Sequence, residues 1–157
     1  MKRLFAPWRW LYATKDKRQD VCPFCNAAQT TDRKEHFVLE KNDDVVVILN
    51  KYPYNTAHIL ISPVVHVAHL EDMTAAARSA MMESAAHWVQ RVREVFKSQG
   101  FNVGFNLGSA SGGSIPQHVH MHVIPRWEGD TNFLATIGET KIVASDLTAV
   151  YAQLMNH

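Results

Sequence analysis

The residues Gln117-His118-Val119-His120-Met121-His122-Val123-Ile124-Pro125 carry the densest chemistry in the chain. In an extended strand successive side chains point to opposite faces, so this spacing sets His118, His120 and His122 on one face and Val119, Met121 and Val123 on the other. Three exposed imidazoles in a row have no packing advantage, but they suit phosphoryl chemistry. A neutral imidazole attacks phosphorus well and, with a pKa of about 6.5, leaves again readily; a neighbouring imidazolium can protonate a departing phosphate oxygen. Two histidines two residues apart can divide those roles. The loop just ahead of them, Leu107-Gly108-Ser109-Ala110-Ser111-Gly112-Gly113-Ser114, consists largely of residues small enough for backbone N–H groups to approach an anion. It matches neither common glycine-rich phosphate loop. Its weight comes from delivering the chain straight into the histidines.

A metal is the second possibility. Cys22 and Cys25 are the only cysteines, spaced as half of a tetrahedral zinc site that two histidines would close. His66, His69 and His118 are the candidates, and spacing does not choose among them. A redox C-x-x-C pair should open a helix after a strand, whereas Cys22 follows an irregular, charged segment.

Composition sets the frame for this chemistry. With 157 residues the chain fits one domain able to bury about 70% of its unfolded surface. Sixteen Lys+Arg against 15 Asp+Glu leave no charge excess for general nucleic-acid binding. No apolar run approaches the roughly 20 residues of a membrane span, and Pro7, Arg9 and the tryptophans interrupt any signal-type core at the start. A cytoplasmic protein is expected, although the basic start would also suit an organelle-targeting segment.

Residues 1–20 are too aromatic for a disordered tail; they are expected to form an arm across the domain, residues 21–157, or a partner subunit. Strands are predicted over residues 37–40 and 45–49, joined at Asn42-Asp43-Asp44, then over 58–62 and 101–106 and along the histidine stretch. A long helix is predicted from Thr74, its N-cap, to Gln99, with Gly100 as the stop, because apolar residues recur at three- and four-residue steps from Ala77 to Phe96. A terminal helix is expected over residues 145–155, with 127–140 irregular. The pattern is α+β: one antiparallel sheet of about five strands, one long helix and a C-terminal helix.

His118-Val119-His120-Met121-His122-Val123-Ile124 resembles the signature of the histidine triad (HIT) family. So do Ala6-Pro7-Trp8-Arg9, Cys22 with Cys25, Leu49-Asn50-Lys51-Tyr52-Pro53-Tyr54-Asn55, His58-Ile59-Leu60-Ile61-Ser62-Pro63 and Pro125-Arg126-Trp127-Glu128-Gly129-Asp130-Thr131-Asn132-Phe133. The first and last of these are similar to bacterial diadenosine tetraphosphate hydrolases or phosphorylases of the fragile-histidine-triad type.

The resemblance implies a nucleotide-binding hydrolase or transferase that cleaves dinucleoside polyphosphates at the α-phosphate. It assigns the nucleophile to His120, which would form a nucleotidyl-histidine released by water or phosphate. His122 would contact phosphate and assist the leaving group, and His58 would be the additional active-site histidine. Asn50 falls at the ribose contact, and Asn106, Gly113, Ser114 and Gln117 fall about the phosphates. Structural zinc would be held by Cys22, Cys25, His66 and His118, and the active form would be a homodimer with a sheet of ten strands across the pair. Where many members carry Ser or Thr three residues before the first triad histidine, this chain has Ile115, with Ser114 beside it. A nucleoside phosphoramidase, and a non-catalytic nucleotide-binding scaffold stabilised by zinc, are the alternatives.

Overall fold

The structure, a computed structural model, describes residues 22–113, 115–131, 143 and 145–156. The expected arm over 1–20, Ser114 and most of the irregular segment lie outside the described residues. In chain order the elements are α1 (Pro23–Gln29), β1 (Val38–Lys41), β2 (Val45–Leu49), β3 (Ile59–Pro63), α2 (Ala75–Phe96), β4 (Gly100–Phe105), β5 (Met121–Arg126) and α3 (Leu147–Met155). The strands form one antiparallel sheet in the order β1-β2-β3-β5-β4. This is the expected α+β architecture.

Both faces of the sheet are covered. Val45, Val47, Leu49, Ile59, Ile61, Met121 and Val123 pack with Met81, Ala85, Trp88 and Val92 of α2 and with Val150, Tyr151 and Leu154 of α3. Val46, Ile48 and Leu60 face the other way and pack with Phe24, Ala27 and Ala28 of α1. All five residues of β2 are therefore buried, and the strand reads as a continuous apolar run. The histidines lie on the α1 face, since Leu60 pairs with His122.

Local chemistry explains most boundaries. Asn42 Oδ1 accepts from the N–H groups of Asp44 and Val45 at 2.9 and 2.8 Å, an Asx turn that closes the first hairpin. Thr74 Oγ1 accepts from the Ala77 N–H at 3.0 Å and caps α2 as expected.

Several predictions of extent are corrected. β1 starts at Val38 because Phe37 adopts a left-handed φ of 53°, and β3 runs Ile59–Pro63 rather than 58–62. Helix α2 stops at Phe96, with Lys97 in the left-handed conformation. Gly100 is not the stop; it opens β4 opposite Arg126. Helix α1, seven residues with proline in its first turn, is an element for which the sequence pattern above has no counterpart.

The largest correction concerns the histidine segment, whose ladder pairing begins only at Met121. Val119 donates its N–H to Val67 O at 2.8 Å and accepts from the Ser62 hydroxyl at 3.0 Å, so loop 64–67 and a side chain replace a strand neighbour. Alternation nonetheless survives. Val119, Met121 and Val123 enter the main core, and the three imidazoles point to the other face. Far from being exposed, His118, His120 and His122 are 0%, 6% and 8% exposed.

Candidate functional site

Burial makes each histidine's proton count, because an imidazole in this setting must find a partner for its N–H and has reason to stay neutral. Desolvation lowers His120 from its ordinary value. Desolvation, reinforced by neighbouring imidazoles, takes His58 down to about 3 and His122 to about 4. At neutral pH these rings carry one proton each, and the hydrogen bonds decide where.

One partner in this cluster can only donate. The Tyr54 backbone N–H lies 3.1 Å from His58 Nδ1, so that nitrogen accepts and the proton sits on Nε2. Asn50 agrees: its Oδ1 accepts from the Tyr52 N–H at 2.9 Å, which turns its Nδ2 toward the same His58 Nδ1 at 3.1 Å. His58 Nε2–H then donates to His122 Nδ1 at 2.9 Å. The remaining proton of His122 is then on Nε2; Asn106 Nδ2 lies 3.2 Å from that nitrogen and only donates, so the Asn106 amide has to turn over to present its oxygen there. Loop 50–57 thus orients a catalytic-type proton on β5 through two imidazoles.

His120 is set independently. Its Nδ1 is 2.9 Å from His118 O, and a carbonyl can only accept, so Nδ1 holds the proton and Nε2 keeps the lone pair. The ring packs near those of Phe24 and His122, with centroids 4.8 and 5.0 Å away. An unprotonated Nε2 beside a proton-bearing His122 Nε2 is an arrangement for attack on an electrophile whose charge needs a donor. Tyr54, half exposed, stacks on His122 at 5.8 Å and 12°.

His118 faces elsewhere. Its Nε2–H donates to Pro63 O at 2.9 Å, so Nδ1 presents a lone pair 3.2 Å from Cys22 Sγ and 3.7 Å from Cys25 Sγ. His66 Nδ1 lies 3.2 Å from Cys25 Sγ, and the four ligand atoms fall within 4.8 Å of one another. Tetrahedral zinc, with bonds of about 2.0–2.3 Å, spaces its donors by about 3.5 Å. The set fits zinc in number, type and spacing, and the carbonyl behind His118 is the outer partner a metal-binding imidazole requires. Burial and then Cys22 push the Cys25 thiol up; a divalent cation between the sulfurs would relieve both. Of the three candidate histidines the structure gathers His66 and His118, and leaves His69 in the loop beyond.

The remaining expected residues are placed unevenly. Gly113 packs so closely that an added Cβ would lie 3.3 Å from Asn106 Cβ, tying the small-residue loop to the amide facing His122. Gln117 is exposed at the entry to the histidine segment. Asn50, expected at the ribose, bonds His58 in this structure. Sequence reasoning missed Phe24, the Tyr54 N–H and Ser62; a backbone donor leaves no mark in side-chain identity, while the proline preceding Phe24 was an available sign of a helix start.

Comparison with known proteins supplies the context for this geometry. A family model described as HIT domain matches residues 31–129. The chain is 34% identical over 151 residues to AP-4-A phosphorylase of Mycobacterium tuberculosis, covering 91% of this chain and 77% of that protein. It is 30% identical over 99 residues to the asymmetrical bis(5'-nucleosyl)-tetraphosphatase of Schizosaccharomyces pombe, covering 63% of this chain and 50% of that one. In fold it is similar to a Zn-bound histidine triad family protein from Mycobacterium smegmatis, with a TM-score of 0.70 and 21% identity over 87% of this chain and 92% of the other.

Proposed function

The chain belongs to the HIT domain family, and we propose that it is a nucleotide hydrolase or transferase that cleaves dinucleoside polyphosphates of the diadenosine tetraphosphate kind through a nucleotidyl-histidine. The observation that carries this reading is the bond from His120 Nδ1–H to His118 O, which reserves Nε2 for the substrate. The Nε2 lone pair forms a bond to the α-phosphorus, the P–O bond to the remaining polyphosphate breaks, and that electron pair leaves on oxygen. A phosphate departing as a stable anion needs no full proton transfer, since its second pKa is about 6. The neutral His122 serves by donating Nε2–H to a phosphoryl or bridging oxygen as charge develops there. Water or inorganic phosphate then attacks phosphorus, the P–N electron pair returns to Nε2, and the proton lost by an attacking water passes to solvent.

In this reading His120 is the nucleophile, His122 the phosphate donor and His58, oriented by Asn50 and Tyr54, the group that fixes the proton of His122. Asn106, Gly113, Ser114 and Gln117 border the phosphates. Cys22, Cys25, His66 and His118 would hold zinc, which when bound would lock the segment that presents His120. A cytoplasmic homodimer completes the proposal; β4 is an edge of the sheet, and its Val103 is exposed. No helix among the described residues is long and apolar enough to cross a membrane.

Incubation with diadenosine tetraphosphate, with and without phosphate, tests the reading. AMP plus ATP indicates hydrolysis, ADP plus ATP indicates phosphorolysis, and trapping a labelled nucleotidyl-histidine separates either from a mere nucleotide receptor. The absence of both cleavage and a trapped adduct would overturn it.

A further inference from the structure

We propose that Phe24 is a positioning residue for the nucleophile, so that the turn carrying both cysteines is also the wall that aims His120. The inference rests on the role assigned above to His120. Phe24 is fully buried between Cys22 and Cys25 at the start of α1. Its ring lies 4.8 Å from that of His120 at 32° and 5.3 Å from that of His118 at 63°. One side chain therefore touches both the imidazole that faces the thiols and the imidazole that faces substrate.

The need for such a wall follows from how His120 is held. Its Nδ1 bonds a carbonyl of its own segment, and one hydrogen bond fixes a point on the ring but not its plane, because the terminal torsion of histidine is broad. The direction of the Nε2 lone pair depends on that plane. Phe24 at 4.8 Å and His122 at 5.0 Å both crowd the ring and limit that swing. Phe24 is itself backed by Val38, Val46, Ile48 and Leu60 of the sheet. With the thiols on either side of it anchored to one metal ion, both ends of its short backbone would be fixed, and the position of the ring with them.

The test uses the full chain loaded with zinc, comparing wild type with Phe24→Leu, which keeps apolar bulk but loses the flat face. Elemental analysis reads metal per chain, steady-state kinetics on diadenosine tetraphosphate read kcat and KM, and long-range 1H–15N spectra read the tautomer of His120. The variant is expected to keep its zinc, to lose about a hundredfold in kcat as for a small misplacement of a reacting group, and to hold KM within about twofold. His120 should shift from a single Nδ1–H form to a mixture of tautomers. An unchanged rate and spectrum would overturn the proposal, as would loss of zinc together with activity, which would confine Phe24 to the metal turn. Where leucine's branch prevents folding, Phe24→Met offers a flexible substitute of similar volume and is judged on the same outcomes. A wild-type protein inactive on this substrate would defeat the functional reading alone, since the spectra still decide what Phe24 does.

Discussion

His118 and His122 stand four residues apart on one face, both are buried, and burial takes both down to about 4. Yet they belong to different regions. His118 is held by loops: its Nε2–H goes to Pro63 O and its lone pair to the thiols. His122 is held within the sheet, between Leu60 and Gly104, and its nitrogens meet another imidazole and an amide. Identical side chains on a shared face acquire opposite orientations because a carbonyl behind one sends its lone pair to sulfur, while an imidazole donor behind the other sends its proton into the cleft. Partners at the back of each ring, rather than the motif itself, turn one lone pair toward the thiols and leave the other ring facing His58 and Asn106.

The contrast breaks most decisively at the residue between them. His120→Ala should lower turnover by about 10⁴-fold or more, as for loss of a nucleophile, with circular dichroism and metal content unchanged; activity near wild type would remove the division of labour. On the loop side, Cys22→Ser should abolish binding of one zinc per chain in native mass spectrometry. Loss of about 3 kcal/mol would lower Tm by about 10 °C, and an equally stable variant would show that the loop side does not depend on the metal.

Acid sharpens the sheet side. An unfolded His58 charges near its ordinary value of 6.5, whereas the folded one resists protonation down to about 3. Between those limits the unfolded chain binds the extra proton, so stability is full above about pH 6.5 and falls as pH drops, by about 1.4 kcal/mol per unit for this group. Urea midpoints at pH 7.5 and 5.5 should separate for wild type, and less so for His58→Asn in the same buffers; equal separation would locate the proton elsewhere.

The smallest effect concerns the backbone beside His58. Ala57 is buried with a left-handed φ of 56°, a conformation that costs a residue with Cβ about 1–2 kcal/mol. Glycine relieves that cost while losing a buried methyl worth about 0.8 kcal/mol, so Ala57→Gly should be nearly neutral. Ala85, equally buried but within α2, should cost about 2 kcal/mol on the same change. Equal losses by denaturant titration would mean that no strain is stored next to His58.

Much of this molecule was legible from sequence wherever the determinants are local. Thr74 caps α2, Asn42 turns the hairpin, and alternation puts the histidines on one face, because each depends on neighbours a few residues away. What could not be read depends on distant partners. β5 begins late because Val67 and Ser62 bond Val119 across more than fifty residues of chain. The tautomer of His58 is set by a backbone N–H whose aim follows from the path of loop 50–57, and Lys97 takes a conformation that composition would give to Gly100. Spacing left His66 and His69 open, the family resemblance implied His66, and the fold gathers His66 with Cys22, Cys25 and His118.

The late start of β5 has a consequence for which changes the protein tolerates. A sheet uses up carbonyls in pairing, and a strand that ran regularly through His118 would engage backbone acceptors in its ladder. By leaving regular pairing over residues 118–120, the chain keeps the His118 carbonyl available to a side chain two positions on, and that acceptor leaves the His120 lone pair at Nε2. If His120 is the nucleophile proposed above, a more regular sheet would be a less competent enzyme: stabilising substitutions that extend β5 toward its N-terminal side would lower turnover without touching a histidine.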